Sequence, residues 1–183
     1  MNIEVFNKTV SINRALVMST GSLICAVLLG FSALIKIPIP GSPVPATLQT
    51  FTLLLCAGML GRWYSVQMVG WYLILGLVGA PFFAKGSGLQ YVFGATGGYL
   101  WGFFLASFIV GFLHKKSSGL INSVAIYVAA ALAIYIPGIL QLKLVTGSTW
   151  QMTLAMGLYP FIMVDLIKAV IASQARRVSR LII

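Results

Sequence analysis

The sequence predicts an all-α, polytopic integral membrane protein with six transmembrane helices and both termini in the cytoplasm (N-in/C-in). Of its 183 residues, 60% are hydrophobic and only 8% are charged, which leaves too little polar surface to cover a soluble globule. The charges also stand singly or in pairs between long apolar runs. Because a charge at the centre of a bilayer is costly, these charges are expected to mark the ends of membrane-spanning segments.

Cutting the chain at its charges gives six apolar segments that cover nearly the whole sequence. The second begins with four prolines, which lack an N–H and hold the backbone extended, so its helix is expected to start near Ala46. We expect one transmembrane domain over residues 1–183, with a cytoplasmic N-terminal tail over about 1–14 and a basic C-terminal tail over about 174–183. The six segments are 15–35, 37–61, 63–84, 86–113, 117–142 and 144–175.

The distribution of basic residues predicts the orientation of these segments. With the N terminus inside, the inner loops and tails carry eight Lys and Arg residues, and the outer loops carry three, Lys36, Lys85 and Lys143. An excess of Lys and Arg on the cytoplasmic side is the general rule for helical membrane proteins. The twelfth basic residue, Lys168, belongs to neither set because it lies within the sixth apolar segment.

The sequence lacks the residues that several kinds of catalysis and binding require. Glu4 and Asp165 are its only acids, and its single histidine, His114, stands at a predicted boundary, so neither a carboxylate pair nor an intramembrane base is predicted. Cys25 and Cys56 lie in apolar runs without metal-ligand spacing, and no phosphate-binding G-x-x-x-x-G-K-[ST] sequence occurs. The basic residues form no stripe for nucleic acid. We therefore predict a protein that is not an enzyme and that binds neither a metal nor nucleic acid.

Asp165 and Lys168 are three positions apart inside an apolar segment, and so on one face of a helix. Two interpretations remain open. As an ion pair they would neutralise each other, as intramembrane charges usually do. As a binding site, the carboxylate would accept hydrogen bonds from N–H groups and the ammonium would donate to a carbonyl oxygen, which suits a cyclic urea or amide.

Further polar residues near the predicted outer surface could complete such a site. Each has an ordinary alternative role, because Thr can bond back to its own helix and Tyr often lies at the membrane interface. They are Thr47, Gln49 and Thr50 at the start of the second span, and Gln90, Tyr91, Thr96 and Tyr99 around the fourth.

The first span carries small residues at a spacing that lets helices approach closely. Ala15 and Ser19 are four positions apart, as are Ser22 and Ala26. This pattern predicts a helix contact, either within the chain or with a partner helix.

Four segments, in order from the first predicted outer loop to the last predicted helix, contain several residues of a known pattern: IPIPGSPVPATLQTF (37–51), YLILGLVGAPFFA (72–84), GATGGYLWGF (94–103) and PFIMVDLIKA (160–169). Together they resemble the BioY family, the biotin-specific substrate-capture subunits (S components) of energy-coupling factor (ECF) transporters, a type of ABC transporter. The resemblance departs from the family pattern at Ala95, where the family usually has Pro, and in the fifth span, which lacks an early glycine.

The resemblance implies a protein of the bacterial cytoplasmic membrane that binds biotin from outside and needs no cofactor. It also implies that Asp165 and Lys168 contribute to the biotin site. Uptake would require a transmembrane coupling (T) subunit and two ATPase (A) subunits, and the vitamin would cross the lipid bilayer unchanged. Two alternatives stay open, an S component of the same fold for another vitamin and a small membrane protein that transports nothing.

Overall fold

Helices make up most of this computed structural model, which describes the backbone of residues 3–114 and 119–182 and the side chains of residues 12–114 and 119–174. The helical class that the sequence predicts is confirmed, apart from one pair of antiparallel two-residue strands. In chain order the elements are α1 (Ile3–Ser32), β1 (Lys36–Ile37), β2 (Ala46–Thr47), α2 (Gln49–Leu60), α3 (Arg62–Leu77), α4 (Leu89–Val92), α5 (Gly97–Leu113), α6 (Leu120–Thr146), α7 (Trp150–Gly157) and α8 (Tyr159–Ile182).

Two or three of the described helices are long and apolar enough to cross a membrane. Residues Ile12–Ser32 of α1 and the whole of α6 qualify alone, and α7 and α8 qualify together as one span bent by 42°. The helices α2 and α5 are apolar but shorter. The structure therefore supports a membrane protein, and the count of six spans stays a prediction.

The backbone of both predicted tails is largely helical. The helix α1 begins at Ile3, so the backbone of most of the segment 1–14 is helical, and α8 continues to Ile182 through the segment 174–183. The side chains of residues 1–11 and 175–183 lie outside the described part of the chain. The division of the chain into one domain with two tails stays a prediction.

Several predicted boundaries are wrong. The second helix starts at Gln49 and not near Ala46, because Ala46 pairs with Ile37 in the strand pair. The third helix ends at Leu77, although its apolar segment continues to residue 84. The sixth segment is interrupted at Leu158, between α7 and α8.

Lys143 does not end the fifth span, as its charge predicts, because α6 continues to Thr146 and stops at Gly147, whose φ is +64°. The Lys143 ammonium folds over the helix end instead. It donates a hydrogen bond of 2.9 Å to the Ser148 carbonyl and lies 4.8 Å from the centre of the Trp150 ring. A basic residue in the last turn is favourable because the carbonyl end of a helix carries partial negative charge.

The tightest helix contact joins α5 and α6. A Cβ atom on Gly98 would collide with the Pro137 carbonyl oxygen, and one on Gly102 would lie 2.5 Å from the Ile134 carbonyl oxygen. The two backbones can approach this closely because these glycines have no side chain. This contact positions the first turns of α5 against the middle of α6, where the candidate site lies.

Candidate substrate-binding site

A cavity of about 560 Å³, counting the part that opens to the surroundings, lies where the ends of several helices meet. Its walls come from the proline-rich loop after α1, the start of α2, the segment before α5, α5 itself, α6 and the first turns of α8. Six of the seven predicted binding residues line it: Thr47, Gln49, Tyr91, Thr96, Tyr99 and Asp165.

Gln49 is fixed in the cavity wall by hydrogen bonds on both sides. Its Nε2 donates to the Tyr72 hydroxyl at 2.7 Å, and that hydroxyl donates to the Phe82 carbonyl at 3.3 Å. The Thr47 hydroxyl donates to Gln49 Oε1 at 3.3 Å and accepts from the Gln49 backbone N–H. The side-chain amide is 4% exposed, so these bonds satisfy a polar group that burial would otherwise penalise.

Asp165 and Lys168 form an ion pair at the edge of this cavity. The Lys168 ammonium lies 2.8 Å from Asp165 Oδ1, and the Tyr135 hydroxyl donates to Asp165 Oδ2 at 2.6 Å. A second bond of 2.7 Å runs from Lys168 to the Thr47 carbonyl. The pair therefore links α8 to α6 and to the proline-rich loop.

The two members of the pair are placed differently. Asp165 lines the cavity, whereas Lys168 is not one of the lining residues. A carboxylate offers about four acceptor positions, of which two are used here, so Asp165 can accept further N–H donors from a ligand. Direct contact of Lys168 with a ligand stays a prediction, because its ammonium is directed at Asp165 and the loop carbonyl.

The predicted polar residues outside the pair differ in their positions. Thr50 lines the cavity with Thr47 and Gln49. Gln90 is exposed and does not line it. The amide that shapes this region is Gln141 on α6, which donates at 2.7 Å to the carbonyls of both Val92 and Gly94 and so holds the turn before α5.

Aromatic residues form much of the remaining wall. The Tyr99 and Tyr135 rings meet edge to face at 6.2 Å, and Tyr91 stacks on Phe83 at 4.9 Å. Tyr91 is half-buried in this wall, and its hydroxyl can donate a hydrogen bond to a ligand.

Hydroxyl groups of the cavity wall and the proline-rich loop also donate hydrogen bonds to backbone carbonyls at the break between α7 and α8. The Tyr99 hydroxyl donates to the Gly157 carbonyl at 2.8 Å, and the Ser42 hydroxyl donates to the Met156 carbonyl at 2.6 Å. Carbonyls freed by a helix break are costly in an apolar environment unless they find donors. The broken span is thus tied to both the cavity wall and the proline-rich loop.

A model of the BioY family matches residues 7–182 of the chain. The chain belongs to the BioY family. Among its relatives, the biotin transporter BioY of Thermotoga maritima is 40% identical over 149 residues, which cover 78% of this chain and 87% of that protein. The biotin transporter BioY2 of Lactococcus lactis subsp. cremoris is 33% identical over 144 residues, which cover 78% of this chain and 79% of that protein.

A solved structure also resembles this BioY-family chain over most of its length. It is the crystal structure, at 2.1 Å, of the S-component for biotin from an ECF-type ABC transporter. The two share 27% sequence identity with a TM-score of 0.82, and the match covers 92% of this chain and 93% of the other. The family resemblance read from the four sequence segments is confirmed.

Some lining residues of this BioY-family site are not among those the sequence singled out. Tyr135 is one, and its signal was a hydroxyl within an otherwise apolar segment. Phe103 and Phe161 also line the cavity, but their sequence context is that of any apolar helix. An aromatic residue facing a ligand cannot be told from one facing the core without the fold.

The small residues of α1 contact the chain itself at two of the four positions. Ser22 and Ala26 are fully buried, and the Ser19 hydroxyl lies 3.5 Å from Gln67 Oε1 on α3. Ala15 is exposed. Of the two contacts that the sequence left open, Ser22 and Ala26 therefore make the one within the chain, and a partner contact stays a prediction for Ala15 and Ser19.

Proposed function

We propose that this protein is the biotin-capturing S component of an ECF transporter. Membership of the BioY family and relatives named as biotin transporters support this assignment. The observation that carries it in the molecule itself is the Asp165 carboxylate at the wall of the cavity, held in place by Tyr135 and Lys168.

The chemistry of this wall suits biotin. Its ureido ring presents two N–H donors and one carbonyl oxygen, and the rest of the molecule is largely apolar. Asp165 accepts from the N–H groups, while hydroxyl and amide donors such as Tyr91 and Gln49 are available to the carbonyl oxygen. The aromatic rings of Tyr99, Phe103 and Phe161 cover the apolar rings of the ligand.

Lys168 acts on the ligand in two ways under this proposal. It fixes the orientation of the Asp165 carboxylate, and it holds the Thr47 carbonyl of the proline-rich loop. Binding energy is gained when the acceptor is already oriented before the ligand arrives, because less ordering remains to be done. The pair is then both an ion pair and part of the ligand site.

Energy for uptake would come from other subunits. The chain contains no phosphate-binding P-loop sequence, so it has no means of binding ATP in that manner. We propose that a transmembrane T subunit and two A subunits assemble with it, and that ATP hydrolysis in the A subunits drives release of biotin into the cell. The vitamin undergoes no chemical change, so the protein is not an enzyme.

We further propose six spans, N-in/C-in, in the bacterial cytoplasmic membrane. Each predicted span contributes one of its ends to the cavity, and C-terminal and N-terminal ends alternate along the chain. The contributing parts are the loop after α1, the start of α2, the segment after α3, the start of α5, the second half of α6 and the start of α8. An antiparallel bundle of six spans brings these ends to one membrane face. That face would be the outer one by the distribution of Lys and Arg.

Ligand binding to the purified chain tests the proposed function. Biotin, thiamine and riboflavin are titrated separately into the detergent-solubilised protein by calorimetry. We expect saturable binding of biotin and none of the other two at the same concentrations. Binding of another vitamin in place of biotin would assign the chain to that vitamin, and absence of binding by a folded protein would reject a capture function.

A further inference from the structure

A second cleft lies at the opposite end of the helices from the cavity. It encloses about 900 Å³, counting the part open to the surroundings. The helix α2 separates the two, with Gln49 in the cavity at its start and Leu60 in the cleft at its end, and its 12 residues span about 18 Å. The cleft is lined by Arg14, Met18, Leu60, Arg62, Trp63, Tyr64 and Gln67.

The cleft is positively charged. Arg14 and Arg62 are both exposed. Among the described side chains the one carboxylate is Asp165, which is engaged at the other end of the bundle, so no described acid neutralises either arginine. The helix α3 also begins here without a side-chain cap and without an acid in its first turn, so its N–H groups add to the positive potential.

Arg62 is held in place at the edge of this cleft. It follows Gly61 in a tight turn, and its own φ is +25°. Its guanidinium lies 5.6 Å from the centre of the Phe112 ring, which also meets the Trp63 ring edge-on at 4.9 Å. The Ser65 hydroxyl donates to the Arg62 carbonyl at 2.6 Å. A guanidinium supported in this way loses little conformational entropy when it binds an anion.

The surroundings of the arginines are apolar. Leu16 and Val17, next to Arg14 in α1, are 61% and 69% exposed, and Met59 at the end of α2 is 53% exposed. Trp63 is 61% exposed, and Trp and Tyr concentrate at the boundary between headgroups and acyl chains. An inorganic anion or an acidic peptide would use the arginines but not this apolar surface.

We propose that the cleft binds an anionic phospholipid, with Arg14 and Arg62 on its phosphate. The acyl chains then lie along the exposed apolar residues of the same helical turns. Basic pockets between membrane helices on the cytoplasmic side suit such headgroups, and the cleft lies on that side in the proposed N-in/C-in orientation, on which this inference rests. This proposal is independent of which vitamin the cavity binds.

Native mass spectrometry of the detergent-purified chain tests the proposal. Phosphatidylglycerol and phosphatidylcholine with identical acyl chains compete in equal amounts. We expect the wild type to prefer phosphatidylglycerol about tenfold or more, and Arg14→Gln with Arg62→Gln to lose that preference. Lys85→Gln, which removes one positive charge from a loop at the other end, is the matched control and retains it.

Four outcomes would overturn the proposal. Equal binding of the two lipids by the wild type is one, and an unchanged preference in the double variant is another. Displacement of the lipid by excess inorganic phosphate would reassign the cleft to a soluble anion. Loss of coupling-subunit copurification in the double variant with lipid preference intact would make it a protein interface. Biotin binding and thermal stability verify the fold, and the two single variants replace the double if it does not fold.

Discussion

Asp165 is the residue on which the candidate site depends most. Its two carboxylate oxygens accept hydrogen bonds from two helices. Oδ1 accepts from Lys168 of the same helix, α8, and Oδ2 accepts from Tyr135 of α6. Hydrogen bonds to a charged group contribute about 1.5–3 kcal/mol, more than those between neutral groups. The carboxylate is therefore a contact between two helices and, under the proposed function, also the ligand's acceptor.

Replacing Tyr135 by Phe tests how much the contact between Asp165 and α6 contributes to ligand binding. The variant keeps the ring in the cavity wall but removes the hydrogen bond to Asp165 Oδ2, so the carboxylate is less well oriented. We expect biotin affinity to fall about tenfold, which corresponds to about 1.4 kcal/mol. Calorimetric titration measures it. Tyr159→Phe, at an exposed position of the same helix as Asp165, is the control, and equal affinity of the two variants would refute the positioning role of Tyr135.

Most polar residues of the site were predictable, although Tyr135 was not selected, and the apolar ones were not predictable. A charge or an amide is conspicuous in an apolar segment, so Asp165, Gln49 and the threonines could be selected from the sequence. The phenylalanines of the wall have the same surroundings in the sequence as core residues. The bond from Lys168 to the Thr47 carbonyl joins residues 121 positions apart, and no local pattern predicts it.

Among the helices, the close contact of α5 with α6 determines the shape of the cavity. Gly98→Ala places a methyl group against the Pro137 carbonyl, so we expect a loss of about 1–3 kcal/mol in stability and a lower melting temperature. Gly70→Ala is the matched control, because a Cβ atom on Gly70 meets no atom within 4 Å and Ala favours a helix by up to about 1 kcal/mol. A Gly98 variant as stable as the Gly70 variant would contradict the close contact.

The inward orientation of α1 leads to a prediction about assembly. Ser22→Leu adds volume at a fully buried position and should lower the melting temperature of the chain itself. Ala15→Leu changes an exposed position, so we expect normal stability and biotin binding but weaker copurification with the coupling subunit. Thr20→Leu, also exposed on α1, is the control. Normal copurification of the Ala15 variant would remove α1 from the partner interface.

Helix positions followed from the charges, but helix ends did not. Charges predicted the general location of every long helix, because charged residues avoid the bilayer interior. The charge of Lys143 predicted the end of the fifth helix too early, because a long side chain can reach polar groups beyond the helix end while its Cα stays helical. The break at Leu158 was not predictable either, because the donors that compensate it, Tyr99 and Ser42, are distant in the sequence.

In the whole molecule, the cavity and the basic cleft lie at opposite ends of the helices. We therefore expect residues near these two ends to react with a reagent from opposite sides of the membrane. In a chain with Cys25 and Cys56 replaced by Ala, Thr146→Cys should react with an impermeant maleimide added to intact cells. Lys116→Cys, which lies outside the described residues, should react only after permeabilisation. Labelling in the reverse pattern would invert the proposed N-in/C-in orientation.

We propose that Asp165 and Lys168 form a ligand site and not only an ion pair. If they only neutralise each other, Asp165→Asn with Lys168→Met should be milder than either single change, because each single variant leaves an unpaired charge in an apolar environment. The double variant would then bind biotin almost normally. If they serve the ligand, the double variant loses the charge-assisted acceptor.

Titration of biotin into the folded double variant is therefore the most direct measurement. Two lost charge-assisted hydrogen bonds of about 1.5 kcal/mol or more each predict an affinity lower by about a hundredfold or more. A melting curve recorded on the same sample shows that the fold is retained. We expect this loss of affinity in a folded protein, whereas near-normal affinity would leave the pair with a structural role only.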